Sequence, residues 1–289
     1  MFFRLTILVL LFMANTTFRN NNHYRVVVSG HSKSMSKDIV NKMITAINNT
    51  KTLKYNLKIT ERIHGKMIHS ESAVKLQKSP RKIYLYLKGP EVLWIEGQNN
   101  GNALVNPGTF PYVNLNLDPY GSIMRKDQHH TIHEVGFDYF GSIINNTIKK
   151  SGDHFEKYFI YNGDEMWNNR MCYKVTIYYP EFSFADYTVK KNETLITIAR
   201  KLGVSEYMIL ENNPNIEHYD HVKEGDRIKV PNAYAKVTVL YIDKQYFLPV
   251  NSKIYDDKGL YESYEYYYLQ VNPKLNDDEF TKHYKDYHF

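Results

Sequence analysis

The stretch HHTIH sets His129, His130 and His133 at spacings that suit metal ligation, and no other part of the chain is expected to rival it. A zinc peptidase needs two histidines one helical turn apart with a glutamate general base between them. Here Glu134 follows the cluster, and Thr131 and Ile132 favour extended backbone, so the three histidines read as structural or surface groups and no metal is assigned. Arg125, just upstream, reads as a loop anchor, with a buried carboxylate or phosphate as the alternative partner. Cys172 is the single cysteine; it alternates with Lys174 on the expected outer face of its strand, and a nucleophile would need a paired histidine. An inert thiol is therefore expected. Asp118 and Glu96 are the residue types that cut glycans in pairs, but nothing in the sequence brings them together. The chain contains no G-x-S-x-G, P-loop or dinucleotide glycine fingerprint, so no catalytic residue and no cofactor are assigned.

Whatever binds here must be positioned by a fold that composition already narrows. The 289 residues are 43% hydrophobic and 24% charged, enough for one sizeable core and a small second unit. Tyrosine dominates the aromatics, with 26 Tyr against 14 Phe and 2 Trp, which suits sheets whose side chains have an apolar body and a wet tip. The net charge is +6, yet Lys and Arg are interleaved with acidic residues and form no long basic run, so the charge reads as a solvated surface and nucleic acid is not an expected partner.

The chain opens MFFRLTILVLLFMANTTF: Arg4 precedes an apolar run from Leu5 to Met13, then Ala14, Asn15 and Thr16 follow. That is the layout of a signal peptide, residues 1–17, with an uncleaved anchor as the alternative. The apolar run is well short of the ~20 residues that span a bilayer. Export to the bacterial periplasm or cell envelope follows, with a mature chain that does not span the membrane. No lipid-modified cysteine can follow the signal and no intrachain disulfide can form, because Cys172 is alone.

Residues 18–34 read as a flexible linker. Ile39, Met43, Ile44 and Ile47 then share one stripe of a helix expected over Ser36 to Asn48. From Leu53 the period changes to two: Leu53, Tyr55, Leu57 and Ile59 face one way, and Lys54, Asn56, Lys58 and Thr60 the other. Further strands are expected in SAVKLQKSP, RKIYLYLKG, EVLWIEGQ and NALVNPG, as in an antiparallel meander. FDYFGSIINNTIKK reads as helix; FEKYFIYN, MCYKVTIYYP, AKVTVLYID, YFLPVNSKIYDD and GLYESYEYYYLQVN read as strands.

Between two of those strands lies a different text. Tyr187 to Val189 form a short strand. Leu195, Ile198, Ala199 and Leu202 make the stripe of a helix that Gly203 ends, Ser205 caps a second helix, and DRIKVP closes the unit as a strand. This β-α-α-β unit resembles a LysM module over residues 187–231, on Tyr187-x-Val189, Thr194-Leu195, Ile198-Ala199, Gly203-Val204, Asn213-Pro214-Asn215 and Gly225-x-x-Ile228-x-Val230-Pro231. The departure is Asn192-Glu193 where the family commonly has Gly-Asp. The resemblance implies binding of peptidoglycan or a related N-acetylglucosamine glycan in a groove between two loops, here Lys191, Asn192, Glu193, Thr194 and Leu195 on one side and Asn213, Pro214, Asn215 and Ile216 on the other. Because the ends of such a unit are close, it can sit in a hairpin loop of a host sheet, and its excision is expected to leave the host folded.

The host is read as the discontinuous segments 35–182 and 236–289. KLQKSPRKIYLYLKGPEVLWIEG, LDPYGSIMRKDQHHTIHEVGF and LPVNSKIYDDKGLYESYEYYYLQVNPKLNDDEF resemble an uncharacterised exported bacterial family related to the lipoprotein carrier LolA. The expected fold is α+β: a curved antiparallel LolA-like half-barrel with helices on its concave side, carrying the small inserted domain. The resemblance implies a cavity for a lipid or lipoprotein. Inward strand positions predict walls from Leu53, Tyr55, Leu57, Ile59, Leu85, Leu87, Trp94, Val175 and Ile177, with Leu93 and Ile95 an equally apolar opposite face to that of Trp94. A non-enzymatic envelope protein is the expected function; a LysM-targeted cell-wall hydrolase and a structural adaptor between wall and protein are the alternatives.

Overall fold

The computed structural model describes residues 32–110 and 112–289; the expected signal peptide and most of the linker lie outside them. The described residues start with α1 (Ser32–Asn49), which begins several residues earlier than its apolar stripe predicts, so the end of the expected linker is helical. A meander follows: β1 (Thr52–Ile63), β2 (Lys66–Lys78), β3 (Arg81–Tyr86), β4 (Glu91–Ile95), β5 (Ala103–Asn106) and β6 (Leu115–Leu117). A long irregular segment leads to α2 (Asp138–Ser151), the short α3 (Phe155–Tyr158), β7 (Phe159–Trp167) and β8 (Arg170–Tyr178). The inserted unit is β9 (Phe184–Thr188), α4 (Leu195–Leu202), α5 (Glu206–Glu211) and β10 (Arg227–Pro231); β11 (Val237–Asp243), β12 (Pro249–Tyr255) and β13 (Leu260–Val271) complete the host. No helix among the described residues is long and apolar enough to cross a membrane.

The host strands form one open antiparallel sheet in the order β6-β5-β4-β3-β2-β1-β13-β12-β11-β8-β7. The period-two text of β1 is realised as burial: Leu53, Tyr55 and Leu57 are buried while Lys54, Asn56 and Lys58 are exposed. Register shifts interrupt the β1–β13, β11–β12, β12–β13 and β7–β8 pairings, and each extra residue bends its strand and increases the local twist. A sheet bent in this way has one face that can enclose the helices. α1 packs against β7, α2 and α3, and its Ile39, Val40, Met43 and Ile47 join the main core with Leu53, Leu76, Trp94, Val175 and Leu240. Trp94 thus faces the core, and Leu93 lies on the opposite face under Phe280 and its neighbours near the C-terminus.

The insertion expectation holds in its geometry: β8 and β11 pair directly, Val175 opposite Leu240, and the chain leaves and re-enters where the Tyr179 amide donates to the Lys236 carbonyl at 2.8 Å. β9 and β10 form their own two-stranded sheet. The unit has a core of Val189, Leu195, Ile198, Ala199, Val204, Ile209 and Ile228, but it also shares one with the host. Tyr207 and Met208 of α5 pack with Ile63, Ile143, Tyr234, Ile254 and Tyr261. Asn146 of α2 donates to the carbonyls of Leu202 and Gly203, where α4 ends on a glycine at φ +65°. Excision would uncover this shared apolar surface, a cost that closeness of the ends does not reveal.

Candidate functional site

Over β1 to β6, on the concave face, α2 and the segment before it do not fill the space, and a cavity of about 910 Å³ remains. Its deep wall is apolar: Leu57, Val74, Leu85, Val92, Val105, Ile132, Phe137 and Tyr266. Leu87 and Ile68 stand 37% exposed at its margin, and Ile123, from the segment that crosses it, is 70% exposed. Of the predicted wall, Leu57, Ile59, Leu85 and Leu87 line this space. Leu53, Tyr55, Trp94, Val175 and Ile177 face inward as expected but are not walls of it: they are consumed in the packed core. Alternation reports which face a residue takes, not whether a helix already covers that stretch of the face.

One side of the cavity is polar and is built around the histidines. His129 is fully buried; its Nδ1 lies 2.7 Å from Glu262 Oε2 and its Nε2 3.0 Å from the Arg62 carbonyl oxygen, so both ring nitrogens face oxygen acceptors. Its amide donates to Glu61. His130 bridges Glu134 and Glu262 at 3.2 and 3.3 Å, Tyr234 donates to Glu262 at 2.7 Å, and Tyr264 donates to Glu61 at 2.9 Å. Burial opposes the Glu262 carboxylate, but the His130 and His129 imidazoles overcome it and hold the group well below its usual range. Burial likewise pulls His130 down, and Glu262 more than restores it, so its pKa is raised. Ligand atoms of Glu61, His129 and Glu262 lie within 4.8 Å of one another, but these acceptors are already matched to protein donors, which makes a hydrogen-bonded ion cluster. His133 instead packs edge-on to Trp94, with ring centroids 4.7 Å apart. Residues 132–134 form a 3₁₀ turn, not the strand geometry expected from Thr131 and Ile132.

The same network fastens the inserted unit. Arg125, whose side chain is 3% exposed, finds the buried carboxylate partner: Glu206 of α5, at 3.3 Å, with the Tyr219 ring 3.8 Å beneath its guanidinium. Arg200 of α4 pairs with Glu206 at 3.0 Å and with Glu134. Arg62 pairs with Asp256 and with Glu211 of α5. The segment that crosses the cavity is therefore tied at Arg125 and Glu134 to the inserted unit.

In that unit the nine predicted groove residues divide into two kinds. Lys191, Asn192, Pro214 and Asn215 are exposed. Asn192 sits at φ +63°, the left-handed region that glycine favours and asparagine tolerates, so the loop keeps its turn despite the substitution. Glu193 accepts from Lys201, from the Lys190 amide and from Tyr187, and the Lys201 contact leads in lowering its pKa to about 2. Thr194 caps α4 by accepting from the Thr197 amide at 3.2 Å, and Leu195 and Ile216 are buried. Asn213 is 5% exposed: its Nδ2 donates to the carbonyls of Ile209 and Lys229 and its Oδ1 accepts from the Lys229 amide, so it ties α5 to β10. Sequence spacing alone cannot separate a glycan contact from a buried brace.

A family described as "Protein of unknown function (DUF1571)" matches residues 50–208, more than half of the chain. The chain belongs to that family. A LysM domain matches residues 187–231, the limits expected from the motif, so this DUF1571 protein carries LysM as its inserted unit. No curated protein sequence matches the chain. Solved structures similar to it include a LolA superfamily protein from Nitrosomonas europaea, 12% identical, covering 86% of this chain and 98% of that one, TM-score 0.33. The lipoprotein LppX of Mycobacterium tuberculosis is 11% identical, covering 85% and 99%, TM-score 0.39. A chain of the Pseudomonas aeruginosa MucA/MucB complex is 11% identical, covering 86% and 60%, TM-score 0.37. At these values no residue role and no ligand passes to the DUF1571 chain, whose fold rests on its own sheet.

The remaining candidates lie apart from the histidine network and have structural partners. Glu96 accepts from the Arg81 amide, tying the end of β4 to the start of β3, and Asp118 accepts from the Tyr120 amide in its own turn. Cys172 is not on an outer face: it is fully buried in the main core, and burial pushes its thiol up to about 11. Alternation with Lys174 therefore does not place Cys172, which pairs with Asp243 of β11 and joins the main core. One further cluster was not expected from the sequence. Glu217, His218 and His221 also bring ligand atoms within 4.8 Å of one another, and the His-x-x-His spacing was its signal.

Proposed function

We propose that this DUF1571 protein is an exported, non-enzymatic envelope protein that holds an acyl-chain-bearing lipid or lipoprotein in its cavity and engages peptidoglycan through LysM. The observation that carries the reading is the 910 Å³ space on the concave face with an apolar deep wall. Its size falls in the range of about 300–1,000 Å³ typical of small-ligand sites. Each methylene buried there contributes about 0.8 kcal/mol, so a long chain would be held without any strong polar contact. The exposed loop residues Lys191, Asn192, Pro214 and Asn215 support the glycan half of the reading, since acetamido sugars need donors and acceptors on rigid loops.

The test is native mass spectrometry of the purified protein together with titration of a dansylated fatty acid. Co-purified lipid, or saturable fluorescence enhancement that Leu85→Arg abolishes, supports the carrier. Lipid-free spectra with a flat titration favour the adaptor. Release of soluble fragments from peptidoglycan by the pure protein would favour the hydrolase.

A further inference from the structure

We propose that Glu217, His218 and His221 form a binding site for a divalent transition-metal ion of the zinc type on the LysM unit. The three residues occupy one exposed turn, and the atoms each would offer already lie within 4.8 Å of one another. The two imidazoles stand edge to face with centroids 4.6 Å apart. None of the three side chains makes a hydrogen bond or ion pair with another described residue, in contrast to those of Glu61, His129 and Glu262, which are all engaged by protein partners.

The backbone that presents them is held. The His221 amide donates to the His218 carbonyl at 3.1 Å and closes the turn, and the Tyr219 carbonyl between them accepts from the Leu195 amide at 2.8 Å at the start of α4. The Tyr219 ring is fixed on the Arg125 guanidinium, so the turn is clamped from behind while the three ligands face solvent. Only side-chain rotation is needed to bring them to metal distance, about 2.0–2.2 Å for imidazole nitrogen and carboxylate oxygen on zinc. Two imidazoles and one carboxylate favour zinc-type ions over calcium or magnesium, which take oxygen ligands. Three protein ligands leave a fourth position for water or for a group from outside. The turn follows directly on Pro214, Asn215 and Ile216, so a bound ion would sit beside the expected glycan loop.

The full chain, free of any histidine tag, is titrated with zinc chloride by calorimetry in a non-chelating buffer, beside the His218→Ala/His221→Ala double variant and Glu217→Gln. One saturable equivalent is expected for the native chain, weaker binding for Glu217→Gln, and none for the double variant, whose circular dichroism should match the native chain because both side chains are exposed. A zinc-dependent rise in Tm that the double variant lacks gives a second readout. Binding that survives unchanged in the double variant, or no saturable binding by the native chain, overturns the proposal. Neither result bears on the cavity or the glycan groove, which are assayed separately.

Discussion

Glu206→Leu tests whether the LysM unit and the host are one structure. Glu206 is 1% exposed, and its carboxylate accepts from both terminal guanidinium nitrogens of Arg125 at 3.3 Å and from Arg200 at 3.0 Å. Arg200 is a third exposed and keeps Glu134 and the Tyr139 hydroxyl, so it tolerates the loss. Arg125 does not: it retains only the His129 carbonyl at 3.3 Å and the Tyr219 ring. Leaving one partner of a buried pair uncompensated costs about 3–5 kcal/mol, whereas an exposed pair would cost about 0–1. Arg125→Leu should cost less, because Glu206 keeps Arg200 at 3.0 Å. The double variant should recover most of the loss, because two apolar side chains there need no counter-charge. Urea unfolding followed by tryptophan fluorescence and far-ultraviolet circular dichroism reads all four proteins, with one coincident transition expected in the native chain because the two units share a core. Two separated native transitions, or single-variant losses below about 1 kcal/mol that simply add, would refute the reasoning.

Asn213→Ala should destabilise the LysM unit by about 1–3 kcal/mol through the stranded Lys229 amide and two carbonyls, while Asn215→Ala should stay within about 0.5 kcal/mol; thermal melts and peptidoglycan co-sedimentation separate brace from contact. Leu76→Ala, in the core, should cost about 2–5 kcal/mol, whereas Leu87→Ala should barely move the melting curve yet weaken the fatty-acid probe. For pH, Glu262 is depressed, so its contribution is present above the ordinary glutamate value of 4.5 and lost as pH falls through its folded value. His130 is raised, so its contribution is complete below 6.5 and lost as pH rises through its folded value. Stability should therefore peak between 4.5 and 6.5, and Glu262→Gln should flatten both flanks in urea titrations across pH.

Local chemistry was legible in the sequence wherever the answer depends on neighbours along the chain. The alternation from Leu53 predicts the buried face of β1, the Gly203 stop and the Ser205 cap bound α4 and α5, and the motif order from Tyr187 to Pro231 delimits LysM, because hydrogen bonding and side-chain direction repeat every few residues. The pairing of β8 with β11 across the insertion was also readable, since a β-α-α-β unit returns to its start.

Tertiary structure decided what each face meets. Leu57 and Leu53 share a face of β1, yet one lines a cavity and the other is consumed in the core, a difference set by where the helices lie. Asn213 and Asn215 are two residues apart in the same motif, yet only the fold makes one a brace and leaves the other to solvent. Above all, Arg125 and Glu206 are separated by 81 positions, and no periodicity links them. Their pairing exists because folding removes both charges from water at one place, where each lowers the cost of burying the other.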